Sequence, residues 1–263
     1  DMQKLVLILM LVFMSSVNSV SAKMVEGGVS AVGAASGGNR VVDNATNQPV
    51  SNAKVTLPHL QYKTYTDENG TFQLGAAVKD KTVMSIEKEG YRPFSLTLDE
   101  KSASAPIIVG IQKSNIDDIS LETQMMHLGD NNYSKNSANS GEFKIAAMGP
   151  FYSKTFTMAA TALTKNNFLV IGSIIGIDTA MARAMGQNKV RNSFSSPPEV
   201  FFNGNKIAEI HLNGDGQRIK IPNNLIKPNQ KNEVTIKTGK NLMQTAYTDY
   251  DDIEIMNLSI LAE

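Results

Sequence analysis

PEVFFNGNKIAEIHLNGDGQRIKIPNNLIKPNQKNEVTI, residues 198–236, decides the fold. Val200-Phe201-Phe202 runs into Asn203-Gly204, and Lys206 to Leu212 runs out. Asn-Gly between two β-prone runs predicts a tight hairpin, because a type I′ turn needs positive φ at both central residues. A second turn is expected at Asn213-Gly214-Asp215-Gly216, followed by a strand holding Ile219 and Ile221. Pro228-Asn229 then breaks the chain, after which Val234 and Ile236 alternate inward. Strands this short, with turns this frequent, predict an antiparallel sandwich.

Working outward, Phe168 to Ile177 is a nearly unbroken apolar run that suits a buried central strand. Asp178 to Gly186 predicts one short helix, with Asp178 as N-cap and Gly186 at C′. Met181 and Met185 share a face of it and are assigned to core packing. The closing strand holds Ile253 and Ile255 in one alternation, and Leu258 and Ile260 in the other. A β-bulge near Met256-Asn257 would turn all four inward. The alternative is a strand covered on both faces. The pattern Asn203-Gly204, Pro228-Asn229 and Asn232-Glu233-Val234-Thr235-Ile236 resembles galactose-binding-like jelly rolls, a fold of many carbohydrate-binding modules.

The first half reads as a second all-β unit. Ala53-Lys54-Val55-Thr56-Leu57 alternates, Asp67 to Gly70 is a turn, and Thr71 to Leu74 restarts the alternation. Thr82 to Ile86 and Ile107 to Ile111 are further strands, with a corner at Gly90-Tyr91-Arg92-Pro93. Asp43, Pro49-Val50, Ala53-x-Val55-x-Leu57, Thr66-Asp67-x-x-Gly70-x-Phe72-x-Leu74 and Gly90-Tyr91 together resemble the carboxypeptidase regulatory-like (prealbumin-like) domain family. That resemblance implies a small seven-stranded sandwich used as spacer, stabiliser or attachment module, with no catalytic residues to transfer. Asn39-Arg40 stand where the family usually has Gly before the first Val.

The expected architecture is therefore all-β: two β-sandwich domains, a prealbumin-like one and a C-terminal jelly roll with one short helix. Expected boundaries are a signal peptide at 1–22, a flexible leader at 23–38, the first sandwich at 39–113, a linker at 114–122 and the second sandwich at 123–263. Lys4, the apolar run Leu5–Met14 and Val20-Ser21-Ala22 have the order of a secretory signal. The apolar run is far shorter than the roughly 20 residues a membrane span needs. Lys plus Arg equal Asp plus Glu at 25 each, which leaves no net field to draw nucleic acid or an anionic membrane. With no Cys, there is no disulfide, thiolate metal site or cysteine nucleophile. A secreted chain without Cys points to a bacterial source.

Candidate chemistry is sparse. Gly-x-Ser-x-Gly, His-Glu-x-x-His and a phosphate-binding Gly-rich loop are all absent. His59, His127 and His211 are scattered one by one. Asp252 and Glu254 share one side of the closing strand; with Asp130 and Asn132 they are the candidate ligands for a structural Ca2+, an ion that takes six to eight oxygens. Galactose-binding-like domains often hold such an ion between an early loop and the last strand. Sugars are recognised by aromatic faces together with amide, carboxylate and guanidinium groups. Tyr133, Tyr152, Arg191, Tyr247 and Tyr250 are the candidates here. The sequence thus predicts a secreted, non-catalytic protein whose partner is a polysaccharide or glycan. The alternative is a structural or adhesive surface protein assembling through its sandwiches.

Overall fold

The computed structural model describes residues 38–129, 143–187, 195–238 and 252–263. The first unit is built from β1 (Asn39–Asp43), β2 (Lys54–Leu57), β3 (Tyr62–Tyr65), β4 (Thr71–Phe72), β5 (Thr82–Glu87), β6 (Phe94–Leu98) and β7 (Ile108–Ile111). Its sheets run β4-β1-β7 and β3-β2-β5-β6. Alternate residues of both sheets, among them Val41, Val55, Leu57, Met84, Ile86, Val109 and Ile111, fill one core. A short helix, α1 (Glu100–Ala103), is held by a capping box between Asp99 and Ser102.

The residues that carry the family resemblance are joined to one another. Asp43 Oδ1 accepts from the Ala45 and Thr46 amides at 2.9 Å each, closing the turn after β1. Its Oδ2 accepts from the Tyr91 hydroxyl at 2.9 Å, so Gly90-Tyr91 is tied to the first strand. Thr66 Oγ1 donates to the Val50 carbonyl at 2.7 Å and accepts from the Ala53 amide at 2.8 Å. Such bonds satisfy the buried backbone between strands.

Among the described residues the second unit holds β8 (Ile119–Glu122), β9 (Met126–Leu128), β10 (Phe151–Thr157), β11 (Asn167–Ile175), β12 (Glu199–Phe202), β13 (Asn205–Glu209), β14 (Gly214–Ile221), β15 (Lys231–Lys237) and β16 (Ile253–Ala262). One sheet is β10-β15-β12-β13 and the other β14-β11-β16-β8, with β9 also on β16. Their apolar faces meet over Leu169, Ile171, Val200, Phe202, Val234, Ile236, Ile255 and Leu258. Asn203 and Gly204 have φ of 49° and 79°, as the hairpin reading requires. Asn203 Nδ2 donates to Asn232 Oδ1 at 2.9 Å, and Asn232 closes the Lys227–Gln230 turn. The Asn-Gly turn and the Asn-x-Val-x-Ile strand are thereby stitched together.

Three expectations change. Gly214-Asp215-Gly216 is not a separate turn: it begins β14. The helix, α2, is shorter than expected (Ala180–Ala184), and Thr179, not Asp178, caps it through the Ala182 amide at 3.1 Å. Met181 and Met185 are 48% and 67% exposed rather than core, because so short a helix buries only Ala182. In addition, β8 starts inside the stretch expected to be a linker and pairs directly with β16.

The closing strand resolves its own anomaly. Asn257 takes φ of 60°, and Ile253, Ile255, Leu258 and Ile260 all enter the same core. Opposite Asn257 stands Gly172, flanked by the pairs Ile171↔Leu258 and Ser173↔Met256. On its other side Gly172 faces Gly216, which has φ of 63° and is flanked by Ile171↔Gln217 and Ser173↔Asp215. The irregularity thus runs across three adjacent strands at one level, and each reverses which parity points inward. The second alternative also holds, because every residue of β16 is buried. Its outer face is covered by the first sandwich.

That seam is chemically mixed. Val83 packs with Ile175 and Met256. Ser173 Oγ donates to Ser95 Oγ at 2.9 Å, and Asn257 Nδ2 donates to Ser85 Oγ at 3.1 Å. Asp215 accepts from the Thr97 amide and hydroxyl at 2.9 and 2.8 Å. A Cβ on Gly172 would lie 2.5 Å from Ser95 Oγ and 2.8 Å from the Met256 carbonyl, so the two sandwiches approach closely only over glycine. No helix among the described residues is long and apolar enough to cross a membrane.

Candidate functional site

Glu254 points from β16 toward the first sandwich, Asp252 stands immediately before β16, and each meets a histidine. Glu254 Oε2 accepts from His59 Nε2 at 2.5 Å. Its Oε1 accepts from the Lys144 and Ile145 amides at 3.1 Å each. His59 sits on the 3-10 turn Pro58–Leu60 that follows β2, which places it at the seam. His127 lies on β9 directly opposite Glu254. Its Nε2 is 3.0 Å from Asp252 Oδ1 and its Nδ1 is 2.6 Å from the Ile145 carbonyl. Phe143 stacks on the imidazole at 4.8 Å. A Cβ at Gly129, where φ is 132°, would lie inside the Asp252 carboxylate. Only glycine there lets Asp252 close on His127.

Electrostatics follow from this geometry. The Ile145 carbonyl only accepts, so His127 Nδ1 donates to it, and protonating the ring lets Nε2 donate to the Asp252 carboxylate as well. Burial opposes that charge. The Asp252 hydrogen bond, the Ile145 carbonyl and the charges of Asp252 and Glu254 outweigh it, and the His127 pKa is raised. The four side chains are at most 3% exposed. A hydrolase that used Asp252 and Glu254 would have to open them to substrate, and here both carboxylates are buried. What the cluster does is tie the two units through the His59–Glu254 hydrogen bond, with the His127–Asp252 pair beside it in the second unit.

Two described site candidates are thus committed to histidines. Ca2+ takes six to eight oxygens, and both Glu254 oxygens here accept hydrogen bonds from His59 and from the Lys144 and Ile145 amides. Among the described residues no group of three or more His, Asp or Glu side chains is arranged to hold a metal. Asp130 and Asn132 lie outside the described residues, as do Tyr133, Arg191, Tyr247 and Tyr250. Tyr152 is in the core of the second unit, 7% exposed, and cannot stack on a sugar. Burial, with the nearby Glu122 carboxylate, pushes its phenol up to about 12.

The histidine partners were not foreseen from sequence. Two carboxylates on one side of an otherwise apolar strand signal that buried partners exist. Nothing local says that the partner of Glu254 is His59, 195 positions away.

The anchors of the undescribed segments converge at one end of the second unit. Gly129 donates its amide to Gly149 at 2.9 Å, and Thr238 donates to Pro150 at 2.8 Å. Leu128 is opposite Ile253, and Ser195 donates to Asp178 at 3.0 Å, just beyond the β11–β16 pairing. At this end Met148 and Phe151 are 56% and 55% exposed.

Comparison with known proteins agrees with the fold of the first unit. Residues 38–120 match the family model described as the CarboxypepD_reg-like domain. The match covers the N-terminal region of this chain and reaches into β8. No curated protein matches the chain.

Proposed function

We propose that this chain is an exported, non-catalytic scaffold protein that binds a polysaccharide at one end of its second sandwich. The observation that carries the reading is the convergence just described. Segments bearing Tyr133, Arg191, Tyr247 and Tyr250 spring from anchors gathered at that end, beside the exposed ring of Phe151. Loops clustered at one end of a sandwich are where such folds usually place recognition. The regulatory-like domain supports a spacer role, since its family residues are spent on turns and strand ties and its outer sheet is spent on the seam. Export rests on the signal-like order of residues 1–22.

A glycan array probed with the chain from Lys23 onward tests this, with Phe151→Ala as the partner variant. Binding to a defined polysaccharide, lowered in Phe151→Ala with its unfolding midpoint unchanged, is the expected result. A folded protein that binds no glycan would overturn it. An EDTA arm tests whether a cation supports the site through Asp130 and Asn132.

The adhesive alternative, in which edge strands pair with other chains, has an observation against it. The edge strand β10 carries Lys154 between the inward-facing Tyr152 and Phe156, and it is exposed. An inward-pointing lysine on an edge is a common guard against strand addition. Antiparallel self-pairing centred there would also set Lys154 against its own copy.

A further inference from the structure

A groove of about 360 Å3 opens where the turn between β5 and β6 faces β8 and the residue that follows it. This volume is at the lower end of the usual range for small-molecule sites. Its first wall is Tyr91 and Pro93, with Asn52 at the rim; its second is Ser120 and Thr123. Tyr91 is fixed, because its hydroxyl donates to Asp43 and its amide closes a turn onto the Lys88 carbonyl at 3.0 Å. The ring is therefore held in place before any ligand arrives, which lowers the ordering cost of binding.

The lining charges cancel. Glu87 is paired with Lys54 at 2.8 Å, and Lys88 stands beside Glu89. A cationic or an anionic peptide would therefore meet a like charge beside every opposite one, and gain little net attraction. A neutral, hydroxyl-rich ligand would meet the tyrosine and proline rings, an amide and two hydroxyls, groups of the kinds that recognise sugar rings. We propose that this groove is a second saccharide site, taking a short neutral oligosaccharide across the junction of the two sandwiches. The ligand class rests on the glycan reading above, but the site is separate. A polysaccharide held at both places would gain affinity through effective concentration.

The test is amide NMR of the chain from Lys23 onward, titrated with lactose, cellobiose and maltose. Shifts at Asn52, Lys88 to Tyr91 and Ser120 to Thr123 are expected. Asn52→Ala should weaken them about three- to tenfold, and Ser120→Trp, which fills the groove, should abolish them. Both positions are exposed, so neither substitution should unfold the protein. Phe151→Ala should leave these shifts unchanged. Shifts confined to the residues around Phe151 would overturn the groove and leave the end site standing. No shift anywhere would overturn both, and groove shifts that survive Ser120→Trp would overturn the groove alone.

Discussion

One face of β16 meets hydrocarbon from its own sandwich: Ile253, Ile255, Leu258 and Ile260 pack on the opposite sheet. The other face meets the first sandwich and is largely polar, with Glu254 on His59, Asn257 on Ser85 and Met256 on Val83. Both faces are buried, so area alone does not separate them. They differ in what they specify. An apolar face accepts any partner of suitable volume, whereas a buried carboxylate accepts only a partner that supplies donors at the right places. The hydrocarbon face builds the second sandwich; the polar face selects the first sandwich as its neighbour and fixes where it sits.

Glu254→Ala should have the largest effect. It leaves His59 and two amides without their shared acceptor, and breaking a buried pair from one side costs about 3–5 kcal/mol. Urea unfolding should show the midpoint fall, with the two units losing their common transition. By contrast, Ile255→Ala on the other face should cost about 2–5 kcal/mol and keep one transition, because it leaves the seam intact. If both variants lose cooperativity alike, the assignment of distinct roles to the two faces is wrong.

Asp215→Ala comes next. It removes two hydrogen bonds that a carboxylate makes to Thr97, and bonds to charged groups contribute about 1.5–3 kcal/mol. Gly172→Ala attacks the same seam by crowding instead of deletion, and overpacking typically costs about 1–3 kcal/mol. Ser95 Oγ is a movable neighbour but the Met256 carbonyl is not, so Ser95→Ala should rescue Gly172→Ala only in part. Full rescue would mean that the backbone yields more easily than close packing allows.

The same contrast explains what was legible in the sequence. The first sandwich is written in turn chemistry: Asp43, Thr66 and Gly90-Tyr91 act over short loops, and each leaves a local signature. The hairpin at Asn203-Gly204 and the inward set on β15 were legible for the same reason. The parity break in β16 was legible as an anomaly, but its cause was not, since it depends on Gly172 and Gly216 standing beside Asn257 in neighbouring strands. The outer face of β16 was the least legible. Its partners come from another sandwich, and Met181 and Met185 show the converse error, helical spacing taken for burial where nothing covers the helix.

The smallest effect, and the one that isolates the polar face most cleanly, is on pH. The His127 pKa is raised in the folded state, because Asp252, Ile145 and Glu254 together overcome the burial of the ring. A raised folded pKa means that the folded state holds the proton more tightly than the unfolded chain does. The stabilisation is then fully present below the unfolded value of about 6.5 and is lost as pH rises through the folded value. Unfolding free energy should therefore decline as pH rises above about 6.5, and His127→Gln should flatten that decline while lowering stability at pH 6. Since burial works against the charge, the slope should be modest. Ile255→Ala should keep the slope, because its face carries no titrating group. A decline that survives His127→Gln would place the sensitivity elsewhere and show that the His127–Asp252 pair beside the seam is not its source.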